Sequence, residues 1–133
     1  MSATVKVEVR QIATTASEAA ARGHTLVTDR PEAKGGEDRG PMGGEMLLMG
    51  LGGCFMSNLL AAVKARALEV QDLRLVISGT LGKAPARFTA VAMTVSGRGA
   101  APGEMEKLVQ MAERGCIVAN TLKHAVDLTI TVA

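Results

Sequence analysis

Neither tryptophan nor tyrosine occurs in this 133-residue chain, and Phe55 and Phe88 are its only aromatic residues. Its core cannot be built on large rings, so Ala, Val, Leu, Ile and Met must fill it. At 47% apolar residues the supply is ample. Clustered charge is missing as well. Fifteen basic against thirteen acidic residues leave a formal net charge of +2, with no cluster of five or more like charges. The chain therefore offers neither the basic footprint of a nucleic-acid binder nor a polybasic membrane patch, and neither partner is expected. Cysteine is scarce: Cys54 and Cys116 lie 62 positions apart, with no CxxC pair. That fits neither a disulfide scaffold nor a structural zinc site. The opening Met-Ser-Ala-Thr-Val-Lys-Val-Glu lacks the basic-then-apolar order of a secretory signal. The expected compartment is therefore the cytoplasm, where a persistent Cys54–Cys116 bridge is not expected. The length suits a single domain over residues 1–133.

What is present is a sequence of alternations and breakers that reads as an α+β fold. Val5, Val7 and Val9 alternate with Lys6, Glu8 and Arg10, the period of a half-buried strand. The Ala-rich run Thr15–Ala21 fits helix or strand. With Gly23 and the β-leaning His24–Thr28 after it, the pattern suggests a three-stranded meander. Between Asp29 and Gly44 stand Pro31, Gly35, Gly36, Gly40, Pro41, Gly43 and Gly44, a breaker density that predicts a long functional loop. Met46–Val63 then carries eighteen residues without a charge, long enough for a membrane span. Gly50, Gly52, Gly53, Ser57 and Asn58 dilute it, and Glu45 and Lys64 bound it. A buried central helix continuing to about Leu68 is the expectation, with no membrane partner. Leu73, Leu75 and Ile77, then Phe88–Val95, predict a β-hairpin turning at Gly82–Pro85. A second helix opens at Ala101–Glu104 and stops at Gly115, and a short helical turn covers Val118–Lys123. Val126, Leu128, Ile130 and Val132 predict a final strand.

Four segments together carry a resemblance. Gly36-Glu-Asp-Arg-Gly-Pro41, Glu45-Met-Leu-Leu-Met-Gly-Leu-Gly-Gly-Cys54, Arg87-Phe-Thr89 and Cys116-Ile-Val-Ala-Asn-Thr-Leu122 resemble the OsmC/Ohr family, over most of the chain. The resemblance implies an OsmC-like fold, assembled as an intertwined homodimer with its sites at the subunit interface. It also implies a thiol-dependent peroxidase acting on organic hydroperoxides. Cys54 would attack the peroxide and become a sulfenic acid, and Cys116 would condense with it to a disulfide reopened by an external dithiol, a lipoyl dithiol in one branch of the family. Glu45 falls at the family's helix-start glutamate, and Arg39, ahead of Arg22 and Arg30, is the candidate cation for the thiolate. The chain departs from the pattern at Gly43-Gly44, where the family has a proline-containing helix start, and at Ile117, where it has proline.

Each of these residues also has a plain structural reading. A cysteine inside an apolar helix is commonly an inert buried thiol, because burial raises its pKa. Yet Gly52 and Gly53 beside Cys54 cost a helix about 1 kcal/mol each relative to alanine, which implies a close neighbour there. Cys116 can be a small core residue, Glu45 a carboxylate favoured by the helix dipole, and each arginine a solvated charge. Met42, Met46, Met49, Met56 and Phe55 are what the sequence offers as an apolar pocket, and equally as core. The spacing of Cys116 and His124 matches no usual ligand pair. His24 then reads as a strand-end residue and His124 as a helix cap, and no metal or cofactor is expected. The rival to the enzyme reading is a non-catalytic member of the family that binds a ligand or senses redox state.

Overall fold

A hairpin turn whose two residues both hold positive φ organises the N-terminal strands: Arg22 at 51° and Gly23 at 85°, the geometry that matches the twist of paired strands. They join β2 (Ser17–Ala21) to β3 (His24–Thr28), and β1 (Glu8–Gln11) pairs with the other edge of β2, giving an antiparallel sheet in the order β1-β2-β3. The computed structural model describes residues 2–124 and 126–133, in two compact units, Met1–Leu47 and Leu48–Ala133. The alanines of β2 become strand because ladders form on both of its sides, Glu8 opposite Ala20 and Ala21 opposite His24. Pairing overrides a weak local preference for helix. β1 starts later than the valine alternation suggests, leaving Val5 and Val7 exposed outside it.

The breaker-rich loop after β3 contains a single 3₁₀ turn at Glu32–Lys34 and is ordered by backbone contacts. The Asp29 amide donates to Pro41 O at 3.2 Å and the Asp38 amide to Arg30 O at 2.9 Å. Gly36 passes so close to the Arg30 carbonyl, and Gly40 to that of Val27, that neither position has room for a Cβ.

Helix α1 (Gly43–Ala65) runs unbroken through Gly50, Gly52 and Gly53. It buries Leu51, Phe55, Leu59 and Ala62, one stripe at helical spacing. In the second unit this stripe meets Leu108 and Ala112 of α2 (Pro102–Gly115), together with Cys116 and Ala119. The hairpin of β4 (Gln71–Gly82) and β5 (Arg87–Arg98) covers the cluster with Leu73, Leu75, Ile77, Met93 and Val95. Gly52 lets β4 approach, since a Cβ there would lie 2.7 Å from Ile77 Cδ1. Leu59 and Leu108 are fully buried, and truncating either to alanine costs about 2–5 kcal/mol. Pro102 starts α2 at the position where its missing N–H costs nothing, and the Glu104 carboxylate accepts the Ala101 amide at 3.0 Å.

Two expectations are corrected. α1 is apolar all round, yet only one stripe of it is buried. Leu47, Met49 and Leu60 are exposed, because a single chain of this size supplies cover for one helix face only. The final strand expected over 126–132 does not form: residues 126–133 have no regular structure, and Leu128 and Ile130 are more than four-fifths exposed. Alternation marks which residues would line a ladder but cannot supply the neighbouring strand that makes one.

Candidate functional site

The two cysteines meet where α1 faces the junction of α2 and α3 (Ile117–Lys123). Cys54 lies on α1 beside the buried stripe and is half-buried, whereas Cys116 is fully buried; both are free thiols. Cys116 occupies a one-residue extended link, with φ −80° and ψ 110°, that ends one helix and begins the next. Its amide donates to Glu113 O at 3.3 Å and its carbonyl accepts the Asn120 amide at 3.0 Å, closing the first turn of α3. Its sulfur accepts the Ala119 amide at 3.4 Å, which makes it an N-cap with a thiol in place of the usual hydroxyl or carboxylate.

The first amides of a helix have no acceptor within it, and at α3 sulfur takes their place. Burial pushes the Cys54 thiol up. The Val118 amide, the Cys116 thiol and the Ile117 amide all favour its anion, and together they bring it below the ordinary cysteine value. Cys116 moves the opposite way. Burial raises it, the Ala119 amide partly offsets this, and its hydrogen bond to Cys54 together with the Cys54 negative charge raises it further. The surroundings thus pull the two thiols in opposite directions, Cys54 toward its thiolate and Cys116 toward its thiol. Such a pair can support nucleophilic attack at the first sulfur and bridging to the second.

Asn58, one turn along from Cys54, donates from Nδ2 to Cys54 O at 2.9 Å. A cavity of about 220 Å³ opens between α1, β5, α2 and α3, walled by Leu51, Phe55, Val91, Met93, Val95 and Val109, with Glu113 and Lys123 among its polar lining residues. Glu113 and Lys123 are ion-paired. Of the apolar residues offered as pocket wall, Phe55 lines this cavity, Met56 packs against the core and Met49 is exposed.

Glu45 and the candidate arginines lie in the first unit. Glu45 sits in the first turn of α1, where its carboxylate accepts the Met42 amide at 2.8 Å, the dipole-favoured arrangement. Nine residues of unbroken helix separate it from Cys54, which is about 13.5 Å along the axis and about half a turn around it. Arg39 donates its backbone amide to Asp29 Oδ2 at 3.3 Å, and Arg30 donates its own to Asp29 Oδ1 at 2.7 Å. Arg22 forms the β2–β3 turn. His24 is the first residue of β3, and His124 caps α3 with Nδ1 2.8 Å from Asn120 O.

Sequence reasoning passed over two contributors to the thiol site, the α3 amides and Asn58, and over Asp29 as the organiser of the glycine-rich loop. The α3 amides carry no signal at all, since every residue but proline has one. Asp29, directly before a glycine-rich loop, fits the habit of aspartate to collect nearby amides. Asn58 stood out only as a polar residue on an apolar helix.

Residues 35–131 match the family model described as OsmC-like protein. Among solved structures, an OsmC-like protein from Mycoplasma pneumoniae shares the fold with a TM-score of 0.80 at 16% identity, covering 92% of this chain and 89% of the other. An organic hydroperoxide resistance protein from Elizabethkingia anophelis gives 0.69 at 17%, covering 92% and 91%. One from Legionella pneumophila gives 0.65 at 18%, covering 91% and 90%. Among curated proteins none matches the chain. With the family model covering most of its length and the fold shared almost end to end, this chain belongs to the OsmC-like family.

Proposed function

We propose that this protein is a cytoplasmic, thiol-dependent peroxidase for organic hydroperoxides. Its two units are read as one domain, since the family match runs across their boundary. The observation that carries the reading is the pair of free thiols brought together at the start of α3, where the surroundings bias Cys54 toward thiolate and Cys116 toward thiol. Fold relatives that are organic hydroperoxide resistance proteins support it.

The Cys54 thiolate attacks the distal oxygen of the hydroperoxide, the O–O bond breaks, and the alkoxide leaves as an alcohol after taking up a proton. Cys54 is then a sulfenic acid and no longer negative. The loss of that charge removes one of the causes that hold the Cys116 proton, so the second thiol ionises more readily once the first has reacted. The Cys116 thiolate attacks the Cys54 sulfur, hydroxide departs as water on protonation, and a disulfide remains. An external dithiol reopens it by two exchanges and becomes a disulfide itself.

Glu45 and Arg39 are proposed as supports of the thiolate through a homodimer. On one continuous helix Glu45 points away from its own Cys54, so it can reach only the Cys54 of a partner subunit. A second copy also suits the unburied face of α1, where Gly50 and Gly53 have open space beside them, and the exposed apolar run 126–132.

Titration with one equivalent of cumene hydroperoxide tests the mechanism. Thiol assay and intact mass are expected to show both thiols lost together with two hydrogens, and Cys116→Ser is expected to drive Cys54 on to sulfinic acid. Steady consumption with a dithiol marks the enzyme, whereas one oxidation event without turnover marks the redox sensor. Burial of substrate CH₂ groups, at about 0.8 kcal/mol each, should favour alkyl and aryl hydroperoxides over hydrogen peroxide. Equal specificity constants would remove the case for an apolar site.

A further inference from the structure

A polar side chain on an otherwise apolar helix face costs stability unless it is placed to some purpose, and Asn58 meets the backbone of Cys54 on one side and Gly115, the neighbour of Cys116, on the other. Its Nδ2 donates to the Cys54 carbonyl at 2.9 Å, which fixes the side chain. Its Oδ1 is thereby held toward the end of α2, where a Cβ on Gly115 would come within 2.5 Å of it and within 3.3 Å of Cγ. Gly115 does not hold a left-handed conformation, so bare space for Asn58 is what its missing side chain supplies. The next residue is Cys116.

We infer that Asn58 is a positioning residue: wedged against Gly115 and tied to the Cys54 backbone, it sets the approach of Cys116 to Cys54 and hence how readily the two sulfurs bridge. The inference rests on the two-thiol reading of the site. It goes further by naming the residue that spaces the pair. Alanine at 115 would force Asn58 to abandon its bond to Cys54, whereas alanine at both positions removes the collision. The two substitutions should therefore be strongly non-additive.

The test is equilibration of the whole protein in glutathione buffers, in which protein dithiol and oxidised glutathione give protein disulfide and two reduced glutathiones. The midpoint yields an effective concentration of the thiol pair that requires no peroxide. Asn58→Ala is expected to lower it about tenfold, the scale of one lost hydrogen bond, and Gly115→Ala to lower it by a similar factor. The double variant should be no worse than Asn58→Ala alone. An unchanged midpoint in Asn58→Ala, or a Gly115→Ala loss that persists undiminished without Asn58, would overturn the inference. Thermal midpoints of the reduced proteins monitor the fold. If Gly115→Ala fails to fold, Asn58→Asp, which keeps Oδ1 and loses the donor, must shift the equilibrium in the same direction or the inference falls. Failure of the unmodified protein to bridge at all would overturn the two-thiol reading itself, a different outcome from equal bridging in every variant.

Discussion

Two side chains in this protein, Asp29 and Cys54, are drawn toward their anionic forms by backbone amides, and the two differ in what the amides can achieve. In the glycine-rich loop the Asp29 carboxylate, 3% exposed, accepts the amides of Arg30 at 2.7 Å, Glu37 at 3.2 Å and Arg39 at 3.3 Å. At the α2–α3 junction the Cys54 sulfur faces the amides of Val118 and Ile117. Burial opposes ionisation at both, and at both the amides prevail. The difference lies in access and saturation. Asp29 is sealed, with a hydrogen bond to the Thr15 side chain adding to its amides, so its charge can only organise chain. Cys54 is half-buried, so the same device acts on a sulfur that can still be reached, as the proposed function requires of a nucleophile. Amide donors at a chain junction make structure where the group is enclosed, and in the proposed function they favour chemistry where it can still be reached.

Neutralising each of the two side chains should separate these roles most sharply. Cys54→Ser is expected to lower peroxide consumption by about a thousandfold or more while leaving the thermal midpoint near that of the unaltered protein. Asp29→Asn should leave Cys54 alkylation unchanged while exposing residues 29–44 to proteolysis. A reversal of either pattern in parallel activity and melting measurements breaks the comparison.

The next effect in size concerns where Glu45 acts. Inactive Glu45→Ala chains mixed with inactive Cys54→Ser chains should regain part of the activity, because one site in each heterodimer keeps both residues. Absence of recovery in verified heterodimers, or a monomer by light scattering at micromolar concentration, would sink the composite site.

Smaller still is the contribution of one amide. Cys116 already holds the extended backbone that a following proline demands, and the Ile117 side chain is exposed, so Ile117→Pro should remove an N–H and little else. The pH midpoint for iodoacetamide reaction at Cys54 is expected to rise, because one of the amides that favours the thiolate is gone. Ile117→Ala should leave it in place, and equal shifts in both would discard the amide as the cause.

The smallest expected effect is the pH dependence of the loop. Asp29 has its pKa depressed in the folded state, so its contribution to stability is complete above the unfolded aspartate value of about 3.9. It is lost as pH falls through the folded value. Acid melting should therefore be steeper for the unaltered protein than for Asp29→Asn below about pH 4; identical acid limbs would remove Asp29 from the account.

Much of the architecture was legible in the residues because it depends on local rules. His24–Thr28 is a strand, Gly115 ends α2 and His124 caps α3, each from its immediate neighbours. The hairpin is longer at both ends than its apolar alternation, since ladder pairing carries on past the core-facing residues. The uncharged run marked α1 as a helix but not which stripe is covered, because composition that is apolar all round contains no direction. For the site, the resemblance singled out the two cysteines, while the reason one leans to thiolate was invisible: amides have no letter in a sequence.

Taken by itself, the sequence determined the α+β order of elements up to the short helix before residue 124, the absence of a large aromatic core, a breaker-rich connection before the long apolar helix, and two thiols in contexts that resemble one family. Only the tertiary structure decided that Cys54 and Cys116 come together, that Asn58 and Gly115 meet beside them, and that Asp29 rather than an arginine organises the loop. Periodicity and capping act over a few residues and are written in their order. Burial, amide direction and the distance between two sulfurs depend on segments some sixty residues apart being folded together, which no local pattern encodes.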